Sequence, residues 1–205
     1  MTSETKRSGR QEAYMHDYDG ALTEQVIAGR TAEIHGAFFL ASLRAGMELL
    51  DCGCGPGSIT CGLAKAVAPG QVIGIDLEES QVELARKNAT KAGLTNVTFD
   101  TGSAYELPFE DARFDAVFSH AMLEHLRDPL AVIKEMHRVL KPGGLVGLRS
   151  VDLAATLIAP AEPALTKAHD IWVKYRLHCG GDPSLGQRLR GLLREAGFAN
   201  TIGTA

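Results

Sequence analysis

Five short apolar runs, each separated from the next by a polar or helical segment, constrain the fold more than any other feature of the sequence. The runs are MELLDC (47–52), VIGID (72–76), NVTFDTG (96–102), FDAVFSH (114–120) and LVGLRSV (145–151). They are continuous rather than alternating, which indicates strands buried on both faces, as in a parallel sheet covered by helices. The order therefore predicts an α/β fold with a mostly parallel sheet and helices on both faces.

Helical patterns occupy most of the remaining chain. The predicted helices cover 22–43, 58–68, 78–93, a stretch from Asp128 to the Pro142-Gly143-Gly144 stop, about 161–178 and 184–196. Asp128 is suited to cap its helix and Pro129 to occupy the first helical position. No repeat or domain boundary is visible. We expect a disordered lead over 1–13 and a single domain over 14–205.

Composition and charge narrow the class of protein. The 205 residues carry a net charge of −4, which gives no general electrostatic case for binding nucleic acid or an anionic membrane. No apolar run approaches the length that spans a bilayer, and the polar N-terminus lacks the apolar core of a signal peptide. The cytoplasm is therefore the expected compartment. The four cysteines form no paired C-x-x-C pattern, so we predict buried packing rather than a metal site.

A glycine-rich segment, LLDCGCGPGSIT (49–60), follows the first predicted strand. Glycine allows positive φ and close approach of a ligand to the backbone, and ligands bind at the carboxyl ends of parallel strands. The dinucleotide fingerprint G-x-G-x-x-G fails, because its third glycine would fall on Ser58, and the phosphate-binding Gly-Lys-Ser/Thr pattern is absent. Asp76 ends the second strand, where its carboxylate could accept hydrogen bonds from the two hydroxyls of a ribose.

From about Tyr14 to Gly197 the sequence resembles the class I S-adenosylmethionine-dependent methyltransferases, closest to the ubiquinone/menaquinone-type C-methyltransferases. The resemblance rests on LLDCGCGPG, VIGIDLEESQVELAR, GSAYELPFEDARFDAVFSHAMLEHLRDP and VLKPGG, in that order. It implies a Rossmann-like sheet and S-adenosyl-L-methionine as cofactor, with S-adenosyl-L-homocysteine as product. It also implies in-line displacement of the methyl group onto a small organic acceptor.

The resemblance assigns cofactor contacts to the first two strand ends. Gly53 and Gly55 would lie against the ligand, and Asp51 near its ammonium group; the alternative for Asp51 is a carboxylate that stabilises the turn. Asp76 would bind the ribose, and its alternative is a cap for the following helix. Leu77 would pack on the adenine, and its alternative is core packing.

The segment after the third strand departs from the family pattern. Where the family often has Gly-Asp-Ala, this chain has Gly102-Ser103-Ala104. Ser103 can accept a hydrogen bond from the adenine amino group but carries no charge, and charge-assisted hydrogen bonds are roughly twice as strong. We therefore expect a weaker adenine contact, assisted by the backbone of Ala104. The alternative for Ser103 is a turn residue.

The catalytic candidate is His120, at the end of the fourth strand, where the methyl group would emerge. Imidazole titrates near neutral pH, so His120 is the best general base if the acceptor must lose a proton. Its alternative is a residue that touches the methionine arm of the cofactor. Glu124 and His125 are interpreted as structural. By analogy with related enzymes, Tyr18 is predicted to close over the methionine end and exclude water.

The sequence limits the identity of the methyl acceptor in two ways: absent motifs exclude some acceptors, and one segment indicates contacts with the acceptor. Residues 152–183 follow the fifth strand and should contribute substrate contacts, with Trp172, Tyr175 and His178 favouring an acceptor of apolar character unless these aromatic residues are core. The Pro-Pro-aromatic motif of amino-methylating DNA and protein enzymes is absent. Two alternatives stay open: a module that binds S-adenosylmethionine without turnover, and a nicotinamide oxidoreductase, which the missing third glycine disfavours.

The chain end predicts an incomplete sheet. Residues 199–204 are expected to form a sixth strand, and nothing follows to form the seventh strand of the family. The fifth strand would then have an unpaired edge, and such edges pair readily with other chains. We therefore expect a truncated form of a longer protein, or a homodimer or swapped strand at this edge.

Overall fold

The computed structural model describes residue 27 and residues 29–203, and within them it contains one parallel sheet. The strands are Leu49–Cys52 (β1), Val72–Asp76 (β2), Val97–Thr101 (β3), Phe114–His120 (β4) and Leu140–Arg149 (β5). They lie in the order β3-β2-β1-β4-β5, and every neighbouring pair is parallel. The predicted α/β sheet with helices around it is confirmed. Residues 1–13 and Tyr18 lie outside the described residues.

Helices follow the strands as the sequence pattern predicted. They are Ala32–His35 (α1), Ala37–Leu40 (α2), Ser58–Val67 (α3), Glu79–Lys91 (α4), Pro129–Val139 (α5), Pro163–His178 (α6) and Leu185–Glu195 (α7), with a 3₁₀ turn at Leu123–His125. Asp128 caps α5 by accepting a hydrogen bond from the Ala131 amide at 3.1 Å, and Pro129 is the first helical residue.

Two apolar layers hold the sheet between helices. Successive residues of a strand point to opposite faces, so Leu49 packs with the layer that contains α1 to α3, whereas Leu50 packs with the layer that contains α5 and α7. Both leucines are fully buried. A third cluster, around Phe99, joins α4 to β3. The central strands β1 and β4 are therefore fixed from both sides, and their carboxyl ends are held in a constant position.

The helix predicted over 22–43 is wrong in its described part. Two single-turn helices, α1 and α2, meet at Gly36, whose φ of −116° and ψ of 9° lie outside the helical region. A Cβ atom at Gly36 would lie 3.1 Å from the Ala32 carbonyl oxygen and 3.6 Å from the Phe118 ring. Gly36 therefore allows the chain to pass close to the sheet, and the helix is interrupted there, between α1 and α2.

The Pro142-Gly143-Gly144 segment was predicted to end a helix, but it lies inside β5. The preceding helix already ends at Val139, and β5 begins at Leu140. The pairing of β4 with β5 shifts between Phe114 and Ala116, so the extra residues form an irregularity at the start of the strand. Gly143, with φ of +77°, has the backbone freedom that such an irregularity requires.

The sixth strand predicted over 199–204 is also wrong as far as the structure describes it, through residue 203. Asn200 has φ of +54°, which interrupts an extended backbone, and Ile202 is 90% exposed. No strand among the described residues pairs with the outer side of β5. Self-association through this edge stays a prediction: light scattering should report a dimer, and a monomer at micromolar concentration would contradict it.

Two further features bear on the expected class of protein. No helix within the described ranges is long and apolar enough to cross a membrane. Cys52, Cys54 and Cys61 are buried free thiols, in agreement with the packing role predicted for them. Burial raises the pKa of the Cys61 thiol, which disfavours the reactive thiolate form.

Candidate functional site at the carboxyl ends of the strands

The glycine-rich loop connects β1 to α3, and its three alternating glycines have different surroundings. Gly53, Gly55 and Gly57 have φ of +79°, +52° and +72°. A Cβ atom at Gly53 would lie 2.7 Å from Cγ of Met122, and one at Gly57 would lie 2.8 Å from Cβ of Ala85. Within the part of the chain that the structure describes, a Cβ atom at Gly55 would contact only Ile27, at 4.0 Å. Gly57 therefore serves packing, whereas Gly55 faces space that the described residues leave open and in which a ligand can lie.

Asp76 links the loop to the next helix. Its carboxylate accepts hydrogen bonds from the Gly55 amide at 2.8 Å and from the Glu78 amide at 3.0 Å. The residue is 7% exposed, and burial raises the pKa of its carboxyl group despite these amides. The alternative role as a helix cap does not hold, because Glu78 is the N-cap of α4. Each carboxylate oxygen has a second lone pair that can accept from a ligand hydroxyl.

A cleft opens beside Asp76 at the ends of β1, β2 and β3. It contains about 380 Å³ of empty space when the part that is open to solvent is included. Its walls are formed by Gly53, Ile75, Asp76, Leu77, Gly102, Ser103, Ala104, Tyr105, Met122 and Leu126. The walls are mostly apolar, with few polar groups, as expected for a site that binds a flat aromatic ring.

The structure brings five of the predicted contacts to this cleft, namely Asp76 and the four residues described next. Leu77 is 46% exposed, so the alternative of core packing is wrong for it. Ser103 and Ala104 lie on the opposite wall. The Ser103 hydroxyl accepts a hydrogen bond from the Tyr105 amide at 3.2 Å, so it also stabilises the turn, as its alternative role proposed. Gly53 closes the cleft on the side of β1.

Asp51 lies beneath the glycine loop rather than in the cleft wall. It is 2% exposed, and its carboxylate accepts a hydrogen bond of 2.6 Å from the Thr60 hydroxyl on α3. Burial and, to a smaller extent, the charge of Asp76 raise the pKa of Asp51 to about 7, although the Thr60 hydrogen bond opposes the shift. The hydrogen bond supports the turn-stabilising role. A cation bound nearby would favour the charged carboxylate and lower this pKa.

His120 ends β4 on the same side of the sheet as α1. Its ring meets the His35 ring edge-on, with centroids 5.3 Å apart, and its buried Nδ1 atom has no hydrogen-bond partner among the described residues. Burial, together with the nearby charges of Arg30 and Arg149, lowers the pKa of His120 to about 3. His120 is therefore neutral at physiological pH, and it is a weaker base than the sequence analysis assumed.

Sequence reasoning missed a group of charged residues around His120. Glu124 is 3% exposed, and Oε1 of its carboxylate accepts from the Val151 amide at 3.4 Å. Arg176, on α6, is 6% exposed and lies 3.0 Å from Nδ1 of His125. Glu124 follows His120 in the same segment of the chain, but Arg176 lies on α6, so no single sequence motif contains the group. The pairing of β4 with β5 was the signal that could have found it, and a predicted order of the strands would have given that pairing.

The aromatic residues of helix α6 are not part of the core. Trp172 is 51% exposed and Tyr175 is 48% exposed, so the alternative that they are core is wrong. His178 is exposed as well. Arg176 is the buried residue of this helix. Substrate contacts from residues 152–183 stay a prediction, and Arg176 is the residue through which α6 reaches the strand ends.

Comparison with known proteins gives consistent matches along the chain. The profile of a methyltransferase domain family matches residues 43–197. An uncharacterized methyltransferase of Schizosaccharomyces pombe is 37% identical over 195 residues, which are 90% of this chain and 68% of that protein. A demethylmenaquinone methyltransferase of Staphylococcus aureus is 46% identical over 105 residues, which are 51% of this chain and 43% of that protein.

A solved structure shares the fold. The phosphoethanolamine N-methyltransferase 2 of Haemonchus contortus, in complex with S-adenosyl-L-methionine, has a TM-score of 0.61 and 25% identity. The match covers 77% of this chain and 34% of that protein. The chain thus spans about two thirds of the yeast relative and less than half of the other two proteins.

Proposed function

Because the chain belongs to the class I S-adenosylmethionine-dependent methyltransferases, we propose that it transfers a methyl group from S-adenosylmethionine to a small organic acceptor. One observation carries the proposal: Asp76 holds Gly55 at the end of β2, beside a mostly apolar cleft, while Gly55 faces open space among the described residues. Two similar proteins, a demethylmenaquinone methyltransferase and a phosphoethanolamine methyltransferase, are named for small-molecule acceptors, which supports a small acceptor here.

The residues of the cleft fit S-adenosylmethionine. Asp76 would accept hydrogen bonds from the ribose, Leu77 and Ala104 would contact the adenine, and Gly53 and Gly55 would lie beneath the ligand. The Ser103 hydroxyl already accepts from the Tyr105 amide, so its contact to the adenine amino group would use a second lone pair. This arrangement supports the weak adenine contact expected from the sequence.

The chemistry required of the protein is modest. S-adenosylmethionine supplies a methyl group already activated by its sulfonium. The chain's own contribution is to bind and align the reactants and to exclude water, which is worth up to ~7–11 kcal/mol in favourable intramolecular cases. The fixed ends of β1 and β4, buried on both faces, provide the rigid base that such alignment requires.

Asp51 gives the binding a predicted pH dependence. With a pKa near 7 in the free protein, the carboxyl group is about half protonated at neutral pH. A cationic ligand favours the carboxylate, so binding lowers this pKa and releases the proton. We expect the affinity for S-adenosylmethionine to rise between about pH 6 and about pH 8, and calorimetry in buffers of different ionisation enthalpy should detect proton release.

The control for this prediction is Asp51→Asn, which can still accept from Thr60 but does not titrate. It should bind more weakly and lose the proton release. The same raised pKa means that the folded state holds this proton more tightly than the unfolded state. The contribution of Asp51 to stability is therefore largest at low pH and declines as pH rises towards 7. Unchanged proton release in Asp51→Asn would contradict the assignment.

His120 is proposed to position the acceptor through its unpartnered Nδ1 atom. Loss of one hydrogen bond of about 0.5–1.5 kcal/mol predicts that His120→Gln lowers kcat/KM by roughly 2–13-fold. Loss of a general base would instead cost ~10²–10⁴-fold. The matched control is His137→Gln, at an exposed position of α5. A rate loss above about 10²-fold, with a titration limb near neutral pH, would restore the general-base assignment.

The proposed function is tested with methyl-labelled S-adenosylmethionine and the small-molecule fraction of a cell extract. We expect label in a low-molecular-weight product with wild-type protein and none with Gly55→Val. Tight binding of S-adenosylmethionine without transfer to any fraction would favour the alternative, a binding module without turnover. Binding of NAD in place of S-adenosylmethionine would contradict both.

A further inference from the structure

Two arginines converge on His120 where β4 and β5 end. In the parallel pairing of these strands His120 lies opposite Arg149, so their Cα atoms are about 5 Å apart. Nη1 of Arg149 donates to the carbonyls of Ile34 at 3.4 Å and His35 at 3.3 Å, which directs the guanidinium towards α1. Arg30 acts electrostatically on both His120 and Glu124. We call Arg30, His120, Glu124, Arg149 and Arg176 the basic subsite.

The basic subsite has an excess of positive charge. Glu124 is its single carboxylate, against the guanidinium groups of Arg30, Arg149 and Arg176. Among the described residues none of these three guanidiniums has a carboxylate within ion-pair distance. Burial lowers the pKa of Arg30 and of Arg176, and the charge of Glu124 opposes this shift in both. One carboxylate does not neutralise three guanidinium groups, and partly buried positive charge without a full counter-charge is costly, so an anion bound beside them would offset this cost.

The basic subsite also contains two polar atoms without partners. Nε of Arg176 and Nδ1 of His120 are buried and have no hydrogen-bond partner among the described residues. Native proteins pair most of their buried polar atoms, so a cluster of unpaired ones calls for an explanation. Glu124 and Arg176 are both more than nine-tenths buried. A polar ligand at this place would supply the missing partners.

The basic subsite adjoins the cofactor cleft. Met122, two residues after His120, lies against Gly53 and forms part of the cleft wall. Between them Ala121 has φ of +52°, and its amide donates to the Arg149 carbonyl at 2.8 Å. This unusual backbone turn directs His120 to the basic subsite and Met122 to the cleft. The basic subsite and the cofactor cleft are therefore adjacent, with Ala121 as the single residue between His120 and Met122.

Resting on the proposed function, we infer that the methyl acceptor carries an anionic group, a carboxylate or a phosphate, which the guanidiniums of Arg30 and Arg149 hold beside His120. Arginine is suited to this role because its planar donors match the oxygens of both groups. Glu124 and Arg176, beneath, bind the polar remainder of the acceptor. In the proposed cofactor pose the sulfonium would lie on the cleft side of His120, so an anion held in the basic subsite would attract it and favour the approach of the two reactants.

The test begins with anion exchange of the small molecules of a cell extract at about pH 7. Each fraction is incubated with methyl-labelled S-adenosylmethionine and wild-type protein, and we expect label in the material that the resin retains. Phosphatase treatment of that fraction distinguishes the two anions: lost transfer identifies a phosphate, and retained transfer identifies a carboxylate. Label only in the neutral or cationic material would overturn the inference while sustaining the proposed function. No transfer in any fraction would overturn both.

The purified acceptor then allows the arginines to be tested singly. Arg30→Gln and Arg149→Gln should each raise the KM for the acceptor by ~10–100-fold, with the Kd for S-adenosylmethionine changed less than about twofold. Arg149→Lys, which keeps the charge but loses the planar donors, should give an intermediate KM. The matched control is Arg194→Gln, at an exposed position of α7, and melting temperatures report whether each variant folds.

Two outcomes with the variants would overturn the inference. The first is an unchanged KM in both glutamine variants. The second is an equal loss of affinity for S-adenosylmethionine, which would mean that the arginines hold the carboxylate of the cofactor instead. Calorimetric binding of the methylated product to the complex with S-adenosylhomocysteine provides a readout without turnover, and its Kd should rise by the same factor as the KM.

Discussion

Gly55→Val should abolish binding of S-adenosylmethionine while leaving the fold intact. A Cβ atom at Gly55 would contact only Ile27 among the described residues, at 4.0 Å. The valine side chain would therefore project into the space above the loop. The φ of +52° costs a non-glycine residue about 1–2 kcal/mol. For a chain of this size that corresponds to a fall in Tm of about 2–8 °C. Calorimetry for binding and circular dichroism for melting measure the two effects.

Gly93→Val is the matched control for this prediction. Gly93 has a similar φ of +67° and nothing within 4 Å of its Cβ position, but it lies at the end of α4. Its Tm should fall by a similar amount, and its affinity for S-adenosylmethionine should not change. Normal binding by Gly55→Val, or equal loss of binding in both variants, would show that the loop does not hold the cofactor.

Asp76→Ala should weaken binding of S-adenosylmethionine by ~10–100-fold. Hydrogen bonds to a charged group are worth about 1.5–3 kcal/mol, and each 1.4 kcal/mol is a factor of about ten. The variant loses the acceptor for the ribose and also releases the Gly55 and Glu78 amides. Both consequences act in the same direction. Competition calorimetry with S-adenosylhomocysteine measures the loss, since the product shares the ribose but lacks the sulfonium.

The control is Asp100→Ala, which removes a carboxylate from the neighbouring strand. The side chain of Asp100 is 64% exposed and makes only a 3.8 Å ion pair with Arg86, so its loss should leave cofactor affinity unchanged. If Asp76→Ala bound as tightly as wild type, Asp76 would be a structural residue of the loop. If it failed to fold, its melting curve would reveal this, and Asp76→Asn, which keeps one acceptor oxygen, would replace it.

The sheet was predictable because its signal is local. A buried parallel strand such as Leu49–Cys52 is continuous in its apolar character, and the following glycine loop marks its carboxyl end. A contact between Asp76 and a ligand could be predicted for the same reason, because Asp76 is the last residue of the neighbouring strand β2. The resemblance to methyltransferases is confirmed, and it added the identity of the cofactor, which no strand pattern contains.

The errors of the sequence analysis have a common physical cause. Gly36 breaks a helical pattern because the chain must pass close to Phe118, a contact that only the packed structure contains. The bulged start of β5 depends on its register against β4, not on the Pro-Gly-Gly sequence alone. In each case a tertiary contact outweighs local propensity.

The basic subsite could not be found from the sequence for a related reason. His120, Arg149 and Arg176 lie far apart in the chain, and each is ordinary in its own segment. The pairing of β4 with β5 and the burial of one side of α6 bring them together. Burial also overturns the expectation that His120 is a general base that titrates near pH 7. Its pKa is about 3, so the imidazole is uncharged at physiological pH.

A crystal structure with S-adenosylhomocysteine tests the central claim, that the cleft beside Asp76 is the cofactor site, most directly. The account predicts the ribose hydroxyls within hydrogen-bond distance of Asp76, the adenine between Leu77 and Ala104, and the sulfur on the side of His120. Density for the ligand elsewhere, or an Asp76 carboxylate bonded only to the Gly55 and Glu78 amides, would contradict it.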